Sequence, residues 1–131
     1  MEIKILLVDD ETDFVETMTK RFGIRKMPIT TAGSGAEAVR LVEKQDFDVV
    51  VLDVRMPGMD GLEVLRHIRA KRPLTEVIML TGHASLDAGM QGMNLGAYDY
   101  VLKPADFDEL LDKVRRAAKR KALNVSAQAR E

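Results

Sequence analysis

Residues 47–53 have the sequence FDVVVLD, a short apolar run that ends on a carboxylate. The run shows little alternation of polar and apolar residues, which is typical of a strand covered by helices on both faces of a parallel sheet. Three further apolar runs also end on residues suited to binding a phosphoryl group or its metal ion. They are residues 3–8 before Asp9-Asp10, residues 77–80 before Thr81-Gly82, and residues 98–102 before Lys103-Pro104.

Segments with helical periodicity separate these runs, and this alternation is typical of βαβ units with parallel strands. Residues 29–32 are more polar and follow Pro28, so they are predicted to form an edge strand. We therefore predict an α/β fold, a doubly wound five-stranded parallel sheet in the order 2-1-3-4-5, packed as a (βα)5 three-layer sandwich. Ligands of such sheets bind at the carboxyl ends of the strands, where the strand order reverses.

Polar residues at characteristic positions predict where the helices begin, and Asp10 precedes the first of them. Three later pairs have capping-box spacing: Ser34 with Glu37, Asp60 with Glu63, and Asp106 with Glu109. The fourth helix, at about residues 85–94, contains Gly89 and Gly92, and each interior glycine costs about 1 kcal/mol relative to alanine. This helix therefore either has low intrinsic stability and packs nonetheless, or it is held loosely so that it can shift.

The chain has 131 residues, of which 46% are hydrophobic, enough for one domain with a real core. It contains no cysteine and two histidines, so disulfides and thiolate sites are excluded and a zinc site is not expected. The net charge of −1 argues against nucleic-acid binding by bulk electrostatics. No signal peptide or bilayer-spanning apolar stretch is visible, so we expect a cytoplasmic protein with no membrane association.

The end of the chain lacks apolar periodicity after about residue 121. We therefore predict one domain at residues 1–121, followed by a frayed helix end and a linker or tail at residues 122–131. The preceding helix carries a basic run, which we interpret as a solvated face whose cations match the helix dipole. Its members are Lys113, Arg115, Arg116, Lys119, Arg120 and Lys121. No direct nucleic-acid binding by this domain is expected.

Three carboxylates are predicted to converge, because the first and third strands are neighbours in this sheet. They belong to Asp9, Asp10 and Asp53. Two like charges ~4 Å apart repel by roughly 4 kcal/mol at an effective dielectric constant near 20. A divalent cation removes this conflict, and hard oxygen ligands favour Mg²⁺ or Mn²⁺. The alternative is that Asp9 and Asp10 only cap the first helix, which leaves the position of Asp53 unexplained.

Asp53 is also a candidate nucleophile, because a carboxylate at an open strand end can form an acyl phosphate. Lys103 offers a cationic donor and Thr81 a hydroxyl donor for phosphoryl oxygens. Each residue also has a common structural role as an alternative. Asp53 could be an ordinary turn aspartate, Lys103 a lysine whose amine extends to solvent, and Thr81 a threonine in a strand-end turn. Together on one sheet edge, these residue types predict phosphoryl transfer.

The sequence resembles the receiver domain of bacterial two-component response regulators. The matching segments are LVDDE at residues 7–11, DVRMPGMDG at 53–61, LTG at 80–82 and GAYDYVLKP at 96–104. The resemblance extends from residue 3 to about residue 120 and implies a flavodoxin-like fold. It also implies phosphorelay signalling, with a sensor histidine kinase or phosphotransfer protein as the phosphoryl donor.

The resemblance assigns roles to the residues at the sheet edge. Asp53 would be the phosphoacceptor. Asp10 and Asp53 would bind Mg²⁺ directly, Asp9 through water, and Arg55 through its backbone carbonyl, with Mn²⁺ able to substitute. Lys103 and Thr81 would hold the phosphoryl group.

The resemblance further implies a conformational switch. Tyr100 would rotate inward as Thr81 moves, and the peptide bond at Lys103-Pro104 would be cis. Arg55 and His83 occupy positions that tune dephosphorylation, in a direction that the sequence does not fix. The output surface would be the fourth helix, fifth strand and fifth helix, contacting an output domain or protein or forming a phosphorylation-dependent homodimer. The sequence around Thr81 resembles receivers attached to transcription activators.

Three rival functions are open to the same fold. A phosphatase acting through an aspartyl phosphate normally needs a second aspartate two residues after the nucleophile, where this chain has Arg55. A flavin or nucleotide binder needs a phosphate loop after the first strand, and this chain has acidic residues there. A receiver that has lost phosphorylation would act only as an interaction module. We therefore predict a phosphoacceptor domain whose only chemistry is self-phosphorylation and autodephosphorylation.

Overall fold

The computed structural model describes residues 2–130. Its strands are β1 (Ile5–Val8), β2 (Ile29–Ala32), β3 (Val49–Asp53), β4 (Glu76–Thr81) and β5 (Asp99–Leu102). Its α-helices are α1 (Thr12–Ile24), α2 (Gly35–Lys44), α3 (Gly61–Lys71), α4 (Leu86–Asn94) and α5 (Phe107–Ala129), with a 3-10 turn at His83–Ser85. The strands form one parallel sheet in the order β2-β1-β3-β4-β5, which confirms the predicted topology.

Two apolar clusters cover the two faces of the sheet. Every residue of β1, β3 and β4 is buried, as the lack of alternation predicted, whereas the outer strands β2 and β5 are only partly buried. Successive strand residues point to opposite faces, so Leu6 and Met79 pack with α2 and α3, while Leu7 and Ile78 pack with α1 and α5. The result is the predicted three-layer sandwich.

The helix starts agree in part with the capping prediction. Ser34 Oγ accepts the amide hydrogen of Glu37 (3.2 Å), and Asp60 Oδ1 accepts that of Glu63 (3.0 Å). Asp106, however, accepts from the amide of Asp108 rather than from that of Glu109.

The prediction that Asp10 caps α1 is wrong. Glu11 occupies the N-cap position of α1, and no side chain there makes a capping hydrogen bond. Asp9 Oδ1 instead accepts the amide hydrogen of Glu11 at 2.9 Å. The carboxylate of Asp10 is therefore exposed and not used by the helix.

Helix α5 continues past the predicted end near residue 121, so residues 122–129 are helical rather than irregular. Leu123 and Val125 in this extension are exposed, and a solvated helix needs no apolar stripe, which explains why periodicity did not reveal it. The division into a domain at 1–121 and a linker stays a prediction. No helix within residues 2–130 combines the length and apolarity needed to cross a membrane.

The basic run of α5 is a solvated face only in part. Lys121 is buried, and its Nζ contacts Asp46 Oδ2 (2.9 Å), the Phe47 carbonyl (3.1 Å) and Asp48 Oδ1 (3.3 Å). Arg120 pairs with the buried carboxylate of Glu76. These contacts tie α5 to the amino edge of the sheet, opposite the predicted site.

Candidate phosphoacceptor and metal site

The carboxyl edge of the sheet brings together the three carboxylates that the sequence predicted. Asp9 follows β1, and Asp53 ends β3, which is paired with β1. One oxygen from each of Asp9, Asp10 and Asp53 lies within 4.8 Å of the others. Asp9 and Asp53 are buried and Asp10 is exposed, so the cluster is buried on one side and has an exposed rim at Asp10 that is open to solvent.

Lys103 reaches this cluster from the end of β5. Its Nζ lies 2.6 Å from Asp9 Oδ2, 2.9 Å from Glu11 Oε1 and 3.7 Å from Asp53 Oδ1. Its side chain is only 15% exposed, which rules out the interpretation of a lysine that reaches solvent. The Lys103-Pro104 peptide bond is cis. Burial lowers the pKa of Lys103, but its contacts with Asp9 and Glu11 and the nearby Asp53 outweigh burial, so the pKa lies above its usual value.

The donor set fits a hard divalent cation. Asp9 Oδ2 is buried, and apart from its 2.6 Å ion pair with Lys103 Nζ it has no hydrogen-bond partner among the described residues. Asp10 is free of any capping role. Carboxylate oxygens that lie this close together are the ligands that Mg²⁺ prefers.

Asp53 carries the clearest electrostatic sign of crowding. Burial, and then the charge of Asp9, raise the pKa of the Asp53 carboxyl from 3.8 to about 7, with Asp10 and Glu11 adding to the effect and Lys103 opposing it. The repulsion expected from the sequence is therefore present at Asp53 itself.

Without a divalent cation, Asp53→Asn is expected to stabilise the protein at about pH 8 by on the order of 2 kcal/mol. The wild-type carboxyl ionises near pH 7 when folded and near 3.8 when unfolded, so the unfolded state releases its proton first. The wild-type free energy of unfolding therefore falls as the pH rises between these two values. Urea unfolding in EDTA across this range measures the difference.

The stability difference between Asp53→Asn and wild type should shrink towards about pH 4, where the carboxyl of folded wild type is protonated and, like asparagine, uncharged. Asp13→Asn is the matched control, because Asp13 is exposed in the first turn of α1 and outside the cluster. A difference that does not change with pH would contradict the assignment of a buried, repelled carboxyl at residue 53.

Thr81 ends β4 with its side chain fully buried. Its Oγ1 donates to the backbone carbonyl of Ser85 at 2.8 Å and lies 3.1 Å from Ser85 Oγ. The neighbouring strand is tied to it, because the amide of Lys103 donates to the Thr81 carbonyl at 2.8 Å. Thr81 thus lies at the predicted edge, with its hydroxyl already occupied.

The remaining predicted residues surround this edge. Arg55 and His83 are exposed, and Arg55 lines a cavity of about 520 Å³ between the loop after β3 and α4. Tyr100 is partly buried against the α3–α4 side of the core, and its carbonyl accepts from Lys113 Nζ at 2.8 Å. The sequence did not point to Glu11 or Ser85, since neither lies at a strand end or in a pattern specific to phosphate binding.

This sheet, with three carboxylates, a lysine and a threonine at its carboxyl edge, defines a receiver-type phosphoacceptor domain. The chain belongs to the response regulator receiver domain family, whose sequence model matches residues 5–115. It is accordingly a domain of two-component phosphorelay signalling.

Similar proteins include both regulators and isolated receivers. The chain is 37% identical over 114 residues to the regulatory protein AtoC of Escherichia coli K12, covering 87% of this chain and 25% of AtoC. It is 36% identical over 113 residues to the DNA-binding transcriptional regulator NtrC of the same strain, covering 86% of this chain and 24% of NtrC. The chain thus spans about a quarter of the length of these relatives.

Among solved structures, the receiver domain of NtrX from Brucella abortus superposes with a TM-score of 0.83 at 29% identity, covering 88% of this chain and 98% of that one. A chain described as adenylate cyclase from Rhodopirellula baltica gives a TM-score of 0.92 at 31% identity, covering 98% and 96%.

Proposed function

We propose that Asp53 accepts a phosphoryl group from a phosphohistidine on a sensor histidine kinase or phosphotransfer protein. An Asp53 carboxylate oxygen forms the new O–P bond as the P–N bond breaks, and the electron pair of that bond returns to the imidazole nitrogen. The observation that carries the proposal is the position of Asp53: it ends a buried strand, in the acidic cluster, with Lys103 Nζ 3.7 Å away. Replacing Asp53 with asparagine tests it directly, because the nucleophile is lost while the shape is kept.

The acidic cluster is proposed to hold Mg²⁺, with Mn²⁺ able to substitute. Asp10 and Asp53 would bind it directly, Asp9 through water, and Arg55 through its backbone carbonyl. When bound, the ion neutralises the repulsion between these carboxylates and the incoming phosphoryl oxygens. The close approach of the three carboxylates and the raised pKa of Asp53 support this proposal.

Thr81 and Lys103 are proposed to bind the phosphoryl oxygens. Both gain these bonds only in the phosphorylated state, so they bias the conformational equilibrium towards it. Changing the ratio of active to inactive conformation from 1:99 to 99:1 requires about 5.5 kcal/mol of differential stabilisation. Hydrogen bonds to charged groups contribute about 1.5–3 kcal/mol each. Two such bonds and the metal are therefore sufficient in magnitude.

The proposed output surface consists of α4, β5 and α5. Leu86, Met90 and Leu102 are exposed apolar side chains on it, and Tyr100 lies partly buried beside them. We propose that this surface contacts an output domain or protein, or a second copy of the domain after phosphorylation. The name of NtrC as a transcriptional regulator supports an output that acts on transcription.

The proposed chemistry is confined to self-phosphorylation and autodephosphorylation. Arg55 occupies the position where a phosphatase of this chemistry would carry its second aspartate. Arg55 and His83 are both exposed beside the site, where they are proposed to change the access of water to the acyl phosphate.

Thr81→Ala and Lys103→Ala are expected to fold normally but to separate modification of Asp53 from the change at α4. Each variant loses a donor to the phosphoryl group while Asp53 remains available as the acceptor. Amide chemical shifts of residues 83–102, recorded before and after acetyl phosphate treatment, measure the response. Wild-type shift changes at α4 in both phosphorylated variants would contradict the proposed coupling.

A further inference from the structure

The hydroxyl of Thr81 is held by the segment that begins α4. Thr81 Oγ1 donates to the Ser85 carbonyl at 2.8 Å and lies 3.1 Å from Ser85 Oγ. Ser85 is itself buried, and its Oγ accepts the amide hydrogen of Gly82 at 3.2 Å. A hydroxyl has a single proton, so Thr81 can donate either to Ser85 or to a phosphoryl oxygen, but not strongly to both.

Gly89 lies one helical turn after Ser85 and faces the same side chain. A Cβ atom at residue 89 would lie 3.1 Å from Thr81 Cγ2 and 3.3 Å from Thr81 Oγ1. Ser85 and Gly89 are four residues apart, the spacing that places side chains on one helix face. A Cβ atom at residue 89 would therefore require α4 or Thr81 to shift by a few tenths of an ångström.

Gly92 extends the same packing along β4. A Cβ atom there would lie 3.0 Å from Met79 Cγ, two residues before Thr81 on the strand. Both glycines are buried. Their cost in helix propensity thus has a packing reason, the close approach of α4 to β4.

Resting on the proposed function, we infer that Ser85 and Gly89 form a seat for Thr81 in the unphosphorylated state, here called the Thr81 seat. Ser85 is the positioning residue, because it holds the hydroxyl that the phosphoryl group must capture. When Thr81 turns to a phosphoryl oxygen, the Ser85 carbonyl loses the hydrogen bond from the Thr81 hydroxyl, and the start of α4 loses an anchor. The seat therefore opposes the turn of Thr81 towards the phosphoryl group.

Gly89→Ala tests the seat by pushing α4 away from Thr81 and lengthening the bonds to Ser85. The probe is beryllium fluoride with Mg²⁺, a tetrahedral phosphoryl mimic that adds to a carboxylate, titrated while amide shifts of residues 83–95 are followed. For Gly89→Ala, we expect the beryllium fluoride concentration at half-saturation to be about fivefold lower than for wild type. Ser85→Ala, which keeps the carbonyl but removes Oγ, should act in the same direction by about twofold.

Gly23→Ala is the matched control, because it makes the same substitution inside a helix, α1, where a Cβ atom would meet nothing within 4 Å. Its half-saturation concentration should stay within about twofold of wild type. In a Thr81→Val background, which removes the hydroxyl, binding of the fluoride complex is followed directly by fluorine NMR, and Ser85→Ala should have no further effect on half-saturation. Thermal unfolding of each variant confirms that it is folded.

The results that would overturn this inference differ from those that would overturn the proposed function. Equal half-saturation for Gly89→Ala and Gly23→Ala, or an undiminished effect of Ser85→Ala in the Thr81→Val background, would overturn the Thr81 seat alone. A wild-type protein that does not respond to beryllium fluoride, or an Asp53→Asn variant that still responds, would overturn the proposed function itself.

Discussion

Asp53→Asn is expected to abolish Mg²⁺-dependent phosphorylation of the protein by acetyl phosphate. The amide oxygen of asparagine is a far weaker nucleophile than a carboxylate and cannot yield an acyl phosphate. The neighbouring aspartates cannot take over, because Asp9 is fully buried beneath Lys103 and Asp10 lies on the exposed rim of the cluster. Intact-protein mass spectrometry after incubation with acetyl phosphate and Mg²⁺ measures the added phosphoryl group.

The matched control for this experiment is Asp48→Asn. Asp48 immediately precedes the strand that Asp53 ends, but it lies at the opposite edge of the sheet, where its Oδ2 accepts the amide hydrogen of Lys4 at 2.8 Å. This variant should be phosphorylated as wild type is. Labelling of Asp53→Asn at the wild-type rate would refute the acceptor assignment.

Mg²⁺ is expected to stabilise the wild-type protein against urea, and Asp10→Asn should remove most of that stabilisation. A ligand that binds only the folded state adds about 2.7 kcal/mol to the free energy of unfolding at 100 times its dissociation constant. Asp10 contributes an exposed carboxylate that no helix cap uses, so its replacement removes a ligand without removing a structural contact. Urea unfolding with and without MgCl₂, at constant ionic strength and neutral pH, measures both effects.

Asp13→Asn serves as the control for charge, because Asp13 is an exposed aspartate of α1 outside the cluster. It should retain the full stabilisation by Mg²⁺, since screening alone does not distinguish the two aspartates. Two results would contradict the metal site: no stabilisation of the wild type even at tens of millimolar Mg²⁺ (an order-of-magnitude ceiling), or equal stabilisation of the Asp10→Asn variant.

Much of the fold follows from local patterns that a sequence displays directly. The run FDVVVLD at residues 47–53 indicates a strand with both faces covered, and its neighbours indicate the same. Parallel strands share one carboxyl edge, so the convergence of Asp9 and Asp53 followed from chain topology without any side-chain coordinates.

Other features depended on contacts between residues distant in sequence. The interaction of Lys103 with Glu11 joins residues 92 positions apart, and the burial of Lys121 depends on Asp46 and Asp48 near the amino edge of the sheet. Sequence spacing does not predict such pairs, because which side chains meet and which become buried is determined only when the helices pack on the sheet. For the same reason, the basic run of α5 was interpreted as a purely solvated face.

The sequence by itself determined the sheet order, the family and the set of residue types at the carboxyl edge, because apolar periodicity and strand-end chemistry are local properties of the chain. Tertiary structure alone decided how those residues are held: Lys103 between Asp9 and Glu11, and the hydroxyl of Thr81 on Ser85. It also decided why α4 carries glycines, since only the packed distance between α4 and β4 shows that a Cβ atom at residue 89 would crowd Thr81.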